Sequence, residues 1–223
     1  MPPFWLSIVA KAHIFLSLIA AGWVAVDIFV VGRRQKMKIM EAVWPLTMLY
    51  FGPIGAIFYC WFGRTPSISR SEGVVRKKSM WQATFTGATH CGAGCALGDF
   101  LGDWLAFLLG FTISGSDLAS KIVLGFAFAY ALGILFQYFS VAPMRGLGIR
   151  EGIFAAIKID TLSLTAYEVG MFAWMAFRAT VYPDLKPTNW SYWLMMQIAM
   201  IVGFITTYPV NWWLILRGIK ERM

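Results

Sequence analysis

The chain has few charged residues for its length. Asp, Glu, Lys and Arg make up only 13% of its 223 residues, against about 25% in a typical soluble domain. Such a chain cannot cover a water-facing surface with polar groups, so its outer surface must face lipid. The composition therefore excludes a cytosolic enzyme, a secreted disulfide scaffold and a disordered tail. Three cysteines are likewise too few for a disulfide framework, and each needs a separate explanation.

Apolar residues are abundant, at 59% of the chain, and the mean hydropathy is +0.65. The net charge is +8. In a membrane protein, such an excess of Lys and Arg lies in cytoplasmic loops beside anionic lipid. We therefore expect the lipid bilayer, and no nucleic acid, as the partner of this surface.

Six apolar stretches are long enough to cross a membrane, because a transmembrane helix needs about 20 residues. The prediction is an all-α protein in which residues 1–223 form a single transmembrane domain of six helices in one bundle. Six spans place both termini on one face. Ten Lys and Arg on that face against seven on the other favour cytoplasmic termini, although the Arg33–Lys38 cluster lies on the opposite face. The predicted spans are 4–31, 43–62, 80–111, 122–141, 153–177 and 190–216.

Ionisable side chains lie inside three of these spans, where each costs about 2.5–3.5 kcal/mol on insertion scales and is usually functional. They occur in the first, third and fifth spans, which are therefore predicted to form an inner polar core with the others closer to lipid. Pairing with the two lysines would explain some of the acids, but five acids outnumber two lysines. The residues are Lys11, His13, Asp27, His90, Asp99, Asp103, Lys158, Asp160 and Glu168.

A stripe of thiols and carboxylates follows one face of the third span. Cys91, Cys95, Asp99 and Asp103 recur every four residues, which keeps them on one slowly drifting helical face. Two thiols one turn apart can bind a soft metal ion together, with His90 flanking them. Glycines beside the stripe form a small-xxx-small pattern that lets another helix approach closely. If both cysteines merely fill space in a Gly-rich helix, the carboxylates remain unexplained.

The fifth and sixth spans carry further donors. Two acids share one face of the fifth span with a Met-x-x-x-Met pair, and the sixth span carries a second such pair. Thioethers suit Cu(I), although methionine is also an ordinary gap-filler in helical cores. Counting from the span starts predicts a ladder of donors across the membrane, with methionines toward one mouth. The donors are Asp160, Glu168, Met171, Met175, Met196 and Met200.

Four stretches are distinctive: VWPLTMLYFGP (43–53), HCGAGCALGD (90–99), DTLSLTAYEVGMFAWM (160–175) and YPVNWWLILRGIKERM (208–223). They resemble a family of bacterial and archaeal membrane proteins, domain of unknown function 4396. The resemblance implies a compact helical domain in a prokaryotic inner membrane. It supplies no activity, so the function must be inferred from the side chains.

The first hypothesis is a membrane protein that binds Cu(I), with transport along the ladder by ligand exchange as its extension. Cys91 and Cys95 would form the central thiolate pair. The methionines would be low-affinity entry ligands, and the carboxylates would balance charge or carry protons. Zinc is the alternative ion, because Cys, His and Asp also bind it. Analogy with copper chaperones and oxidase copper centres suggests a copper protein or a respiratory oxidase as partner.

Three other functions stay open. Cys91 and Cys95 could cycle in thiol–disulfide chemistry, although known membrane oxidoreductases favour Cys-x-x-Cys and a second Cys pair. Haem b could lie between His13 and His90, whose predicted depths match. A structural subunit would use its polar core only to specify helix packing.

Overall fold

The structure, a computed structural model, describes residues 2–65 and 78–222, which form six α-helices and no β-strand. The all-α prediction is confirmed. Helices α4 and α5 extend four or five residues beyond the predicted spans at each end, because caps rather than hydrophobicity fix helix ends. The helices α1 to α6 are Phe4–Phe29, Met40–Phe58 (continued by a π-helical turn, Tyr59–Gly63), Met80–Leu109, Asp117–Arg145, Ile149–Val181 and Trp190–Leu216.

The second helix reverses direction at its middle. Gly52 interrupts it with φ 57° and ψ −139°. The two halves, 40–51 and 53–63, then pack side by side, so that the ring centroids of Trp44 and Tyr59 lie 5.4 Å apart. A straight helix would separate these two residues by about 22 Å. Helix α2 with its π-helical turn is therefore a helical hairpin.

Both ends of this hairpin lie at the same end of the bundle. Arg33, in the loop after α1, donates from its guanidinium to the carbonyl oxygen of Thr65 at 3.2 Å. The turn at Gly52 lies half-way along α1, against His13 and Ser17. Each half of the hairpin is about 18 Å long, too short for a membrane core of about 30 Å. The segment predicted as a single straight span at 43–62 is therefore a helical hairpin in the structure.

Five helical segments are long and apolar enough, by length and composition, to cross a membrane: α1, α2 with its turn, α3, α4 and α6. The reversal at Gly52 divides α2 into two shorter halves. Helix α5 is 33 residues long but carries six charged residues. It packs against α3, α4 and α6, so its polar side chains have protein neighbours.

Helices α3, α5 and α6 form the interior, and α1 lies at its edge. Helix α1 packs against α2 and α6, and Leu6 contacts Leu194, so α1 and α6 run in the same direction. Lys11 and Lys158 are exposed. The prediction that the first span belongs to the inner polar core is wrong, because the hairpin separates α1 from α3.

Helices α3 and α4 approach each other along a row of glycines. Cβ atoms added at Gly94, Gly98 and Gly102 would lie 2.2–2.8 Å from backbone atoms of α4, a separation that real side chains do not permit. The small-xxx-small pattern therefore predicted a real contact, and α4 is the partner. This contact shields one side of the α3 stripe from the surroundings.

Candidate functional site

The stripe of α3 is buried in the bundle. Cys91, Cys95, Asp99 and Asp103 are each at most 4% exposed. We call the end of the bundle that holds residues 217–222 the tail end and the opposite end the loop end. Of the four residues, Cys91 lies nearest the tail end and Asp103 nearest the loop end. With the side chains that contact them from α5 and α6, these four residues form a polar column through the interior.

At the tail end of the column, Cys91 meets the first acid of α5. The Cys91 thiol donates to Asp160 Oδ1 at 2.9 Å, and the Ser163 hydroxyl donates to the same oxygen at 3.0 Å. The ammonium of Lys220 donates to Cys91 Sγ at 3.2 Å and to Asp160 Oδ1 at 3.3 Å. A buried thiol, carboxylate, hydroxyl and ammonium thus share one small volume.

Lys220 is a site residue that the sequence did not reveal. It lies beyond the end of α6, yet it is only 2% exposed. Burial by itself lowers the pKa of this lysine, but Cys91 and Asp160 beside it raise the pKa above the ordinary lysine value on balance. Its Nζ lies 3.3 Å from Asp160 Oδ1, within ion-pair distance.

In the middle of the column, Glu168 of α5 lies beside Cys95 and Asp99 of α3. Among the described residues, neither oxygen of Glu168 nor Oδ2 of Asp99 has a hydrogen-bond partner. Buried carboxylates without partners are costly. Two of them side by side are stable when they hold a proton or a cation.

The hairpin reaches the same level. The hydroxyls of Tyr50, two residues before the turn, and of Tyr167 on α5 both approach Gly92 of α3, where a Cβ would lie 2.6 and 3.0 Å from them. Gly92 therefore leaves room for two phenols between Cys91 and Cys95. The tip of the hairpin is part of the wall of the column.

At the loop end, Asp103 accepts a hydrogen bond of 2.5 Å from the Tyr192 hydroxyl. Two cations flank the ring of Tyr192: Lys121 Nζ lies 5.1 Å from its centroid and the guanidinium carbon of Arg178 lies 5.0 Å from it. Their positive charges offset the negative charge of Asp103.

A small cavity of about 10 Å³ lies beside Asp99 and Asp103, and we refer to it as the acid–methionine cavity. Four helices contribute to it, and its lining includes both carboxylates and three thioethers from the predicted ladder. Met200 is buried nearby at 4% exposed but does not line the cavity. The lining residues are Asp99, Asp103, Leu118, Lys121, Ile122, Met171, Phe172, Met175 and Met196.

The two histidines have different surroundings. His90 is fully buried against Phe136 of α4, with ring centroids 6.2 Å apart. His13 on α1 donates from Nδ1 to Gln197 Oε1 at 2.9 Å, and Gln197 Nε2 donates to the Leu49 carbonyl oxygen at 2.6 Å. His13 and Gln197 thus satisfy the backbone where α2 breaks. No contact between the described residues joins His13 to His90, so a haem b bound between them gains no support.

No two of the three cysteines form a disulfide in this structure. Cys91 and Cys95 are fully buried, whereas Cys60 is exposed on the second half of the hairpin. Thiol–disulfide exchange requires access of an attacking thiolate to a sulfur. The buried positions of Cys91 and Cys95 leave that reaction without a visible route from outside the bundle.

Within residues 2–65 and 78–222, no three His, Cys, Asp or Glu side chains converge closely enough to form a metal site by themselves. Met171, Met175 and Met196 line the same cavity as the two α3 carboxylates. The column thus presents thioethers and carboxylates at the loop end and a thiol, a carboxylate and an ammonium at the tail end. Asp27 stands apart, in an ion pair with Arg64.

The curated proteins and the solved structures offer no match to the chain. One family model matches residues 80–220. The match begins with α3 and ends at Lys220, so it contains the four α3 residues of the polar column, Asp160, Glu168 and every lining residue of the cavity. Since it covers more than half of the sequence, the chain belongs to the family described as domain of unknown function (DUF4396).

Proposed function

We propose that this protein binds Cu(I) in the acid–methionine cavity of a membrane-embedded helical bundle. The observation that carries the proposal is that Asp99, Asp103, Met171, Met175 and Met196 line one cavity although they come from three helices. Thioether sulfur selects soft ions such as Cu(I). Zinc sites instead use thiolate, imidazole and carboxylate, so methionine favours copper over zinc. Asp99, whose Oδ2 has no hydrogen-bond partner among the described residues, supplies negative charge that a bound cation needs.

Transport along the polar column extends this proposal. Below the cavity, donors continue through Glu168 and Cys95 to Cys91 and Asp160, spaced about one helical turn apart. An ion could therefore exchange one set of ligands for the next. In many transporters, broken helices reach the middle of the membrane and line the substrate path. The hairpin turn at Gly52 and its Tyr50 occupy the corresponding position here.

The proposal includes an orientation in a prokaryotic inner membrane. With α2 re-entrant and α1, α3, α4, α5 and α6 crossing, the described termini lie on opposite faces, in place of the shared cytoplasmic face expected from six spans. Three basic residues belong to the loop end: Lys121, Arg178 and Lys186. Eleven basic residues at the tail end against three at the loop end support a cytoplasmic tail end. Eleven described basic residues belong to the tail end: Arg33, Arg34, Lys36, Lys38, Arg64, Lys78, Arg145, Arg150, Arg217, Lys220 and Arg222.

A Cu(I) titration of the purified protein in detergent, against a colorimetric Cu(I) chelator under reducing conditions, tests the proposal. We expect tight binding by the wild type. Changing Met171, Met175 and Met196 together to Leu keeps the side-chain volume but removes the sulfur, so the affinity should fall at least about tenfold, or 1.4 kcal/mol. The exposed Met144→Leu is the matched control and should bind as the wild type does. Equal affinity in the triple variant would contradict the proposal.

A further inference from the structure

Lys220 sits where a metal cation would be expected to sit. Its ammonium is surrounded by Cys91 Sγ at 3.2 Å and Asp160 Oδ1 at 3.3 Å. The hydroxyl of Ser163 lies 3.2 Å from Cys91 Sγ and 3.0 Å from Asp160 Oδ1. All four side chains are at most 2% exposed. Sulfur, carboxylate and hydroxyl donors around one positive charge form the ligand set of a cation site.

The site has more donors than the ammonium uses. Asp160 Oδ2 and Asn211 Oδ1 are buried and have no hydrogen-bond partner in the part of the chain that the structure describes. Asn211 Oδ1 and the Lys220 stem both border Gly87, at 3.5 and 3.7 Å from an added Cβ. The spare oxygens could therefore help to hold an ion after the lysine has left.

The segment that carries Lys220 is exposed or half-buried except for Lys220 itself. A turn at Gly218, with φ 68°, leads the chain back toward the bundle after α6. The Lys220 backbone N–H donates to the Leu214 carbonyl oxygen at 3.3 Å. The neighbouring Glu221 pairs with Arg145 of α4 at 2.5 Å. That pair is partly exposed, and surface ion pairs contribute about 0–1 kcal/mol. Withdrawal of the lysine would break its contacts with Cys91 and Asp160 while the helices stay packed, and an incoming cation would replace the positive charge lost beside Asp160.

We infer that Lys220 is a tethered cation that occupies the Cys91–Asp160–Ser163 site, and that a metal cation takes its place when the tail withdraws. The identity of that ion as Cu(I) rests on the proposed function. Because cysteine ligates metals as the thiolate, an incoming metal ion displaces the Cys91 proton as well as the ammonium of Lys220. The ion then faces the Cys91 thiolate and the Asp160 carboxylate.

The test measures access to Cys91 without copper. In a protein with Cys60→Ser and Cys95→Ser, Cys91 is the remaining thiol, and its reaction rate with a cationic methanethiosulfonate is compared with that of a neutral one of similar size. Lys220→Met should accelerate the cationic reagent more than the neutral one, because it leaves Asp160 uncompensated. Lys220→Arg keeps a tethered cation, so its rates should stay slow.

Glu221→Gln loosens the tail but keeps both members of the buried Asp160–Lys220 pair in the chain, and it decides the outcome if Lys220→Met does not fold. We expect it to accelerate the cationic reagent up to about fivefold, which corresponds to the loss of about 1 kcal/mol. Arg222→Gln is the neighbouring control and should have no effect. Unchanged rates in both Lys220→Met and Glu221→Gln would overturn the inference. Faster cationic modification together with no Cu(I) binding by any variant would instead leave Lys220 as a tethered cation and refute the proposed function.

Discussion

Asp160 and Lys220 form an ion pair that is fully enclosed by protein. Both side chains are 0% exposed, and the joining atoms are 3.3 Å apart. Removing two charges from water is expensive, so such a pair contributes little net stability by itself. Removing one partner is different, because the other charge then stays buried and uncompensated.

Asp160→Asn should therefore destabilise the fold by about 3–5 kcal/mol. The measurement is thermal unfolding in detergent, where the variant should melt well below the wild type. The double variant Asp160→Asn with Lys220→Met removes both charges and should recover most of the loss. A single variant as stable as the wild type would show that Lys220 is not held as an ammonium in this site.

The position of Asp160 in the site was predictable from the sequence, and that of Lys220 was not. Cys91 and Asp160 each lie eleven residues into helices that start at the tail end, so counting residues predicted that they meet. Lys220 follows the last helix in a segment with no periodicity, and no local pattern indicates that the tail folds back into the bundle. Its position depends on contacts with α3 and α5 that are distant in sequence.

At the scale of elements, the hairpin made by α2 and its π-helical turn decides how the other helices are placed. Gly52 adopts φ 57°, which side chains with a Cβ rarely adopt. An added Cβ would also lie 3.0 Å from Ser17 Oγ and 3.2 Å from His13 Nε2. The turn thus depends on glycine for both its backbone angles and its contact with α1.

Gly52→Ala should lower the free energy of unfolding by about 1–3 kcal/mol, because it forces a Cβ into a strained backbone region. Gly22→Ala is the matched control in the middle of α1, where an added Cβ meets nothing within 4 Å. Alanine is the better helix former, so this control should be neutral or slightly stabilising. Thermal unfolding of both variants in detergent provides the comparison, and equal melting temperatures would argue against a strained turn at Gly52.

The sequence contains a signal for the reversal of α2, but the high hydropathy of the surrounding residues hides it. Gly52 and Pro53 form a Gly-Pro pair, which marks turns, but they lie inside 20 apolar residues that alone predict a crossing helix. The glycine row of α3 was easier to interpret, because its spacing predicts a close helix neighbour in any topology. The neighbour itself, α4, could not be identified without the tertiary packing.

At the scale of the whole molecule, the number of crossings determines which loops share a face. Six crossing helices would put the loop after α1 and the segment after α2 on opposite faces. The re-entrant hairpin puts both at the tail end, together with most of the basic residues. The ambiguous charge count of the six-span topology, ten against seven, then becomes a clear asymmetry.

Single cysteines at Gln35, Thr65 and Ser114, in a protein without its native cysteines, distinguish the two topologies. A membrane-impermeant maleimide should label Gln35→Cys and Thr65→Cys from the cytoplasmic face, and Ser114→Cys from the opposite face. Six crossing helices require Gln35 and Ser114 on one face and Thr65 on the other. Labelling in that pattern would refute the re-entrant hairpin.

X-ray absorption spectroscopy of the Cu(I)-loaded protein tests the copper site most directly, because it identifies the atoms bound to the metal. We expect sulfur neighbours together with oxygen in the wild type. The sulfur signal should weaken when Met171, Met175 and Met196 are changed to Leu, and it should persist in Met144→Leu. A metal bound by nitrogen and oxygen alone, or a sulfur signal that the triple change leaves intact, would contradict a copper site in the acid–methionine cavity.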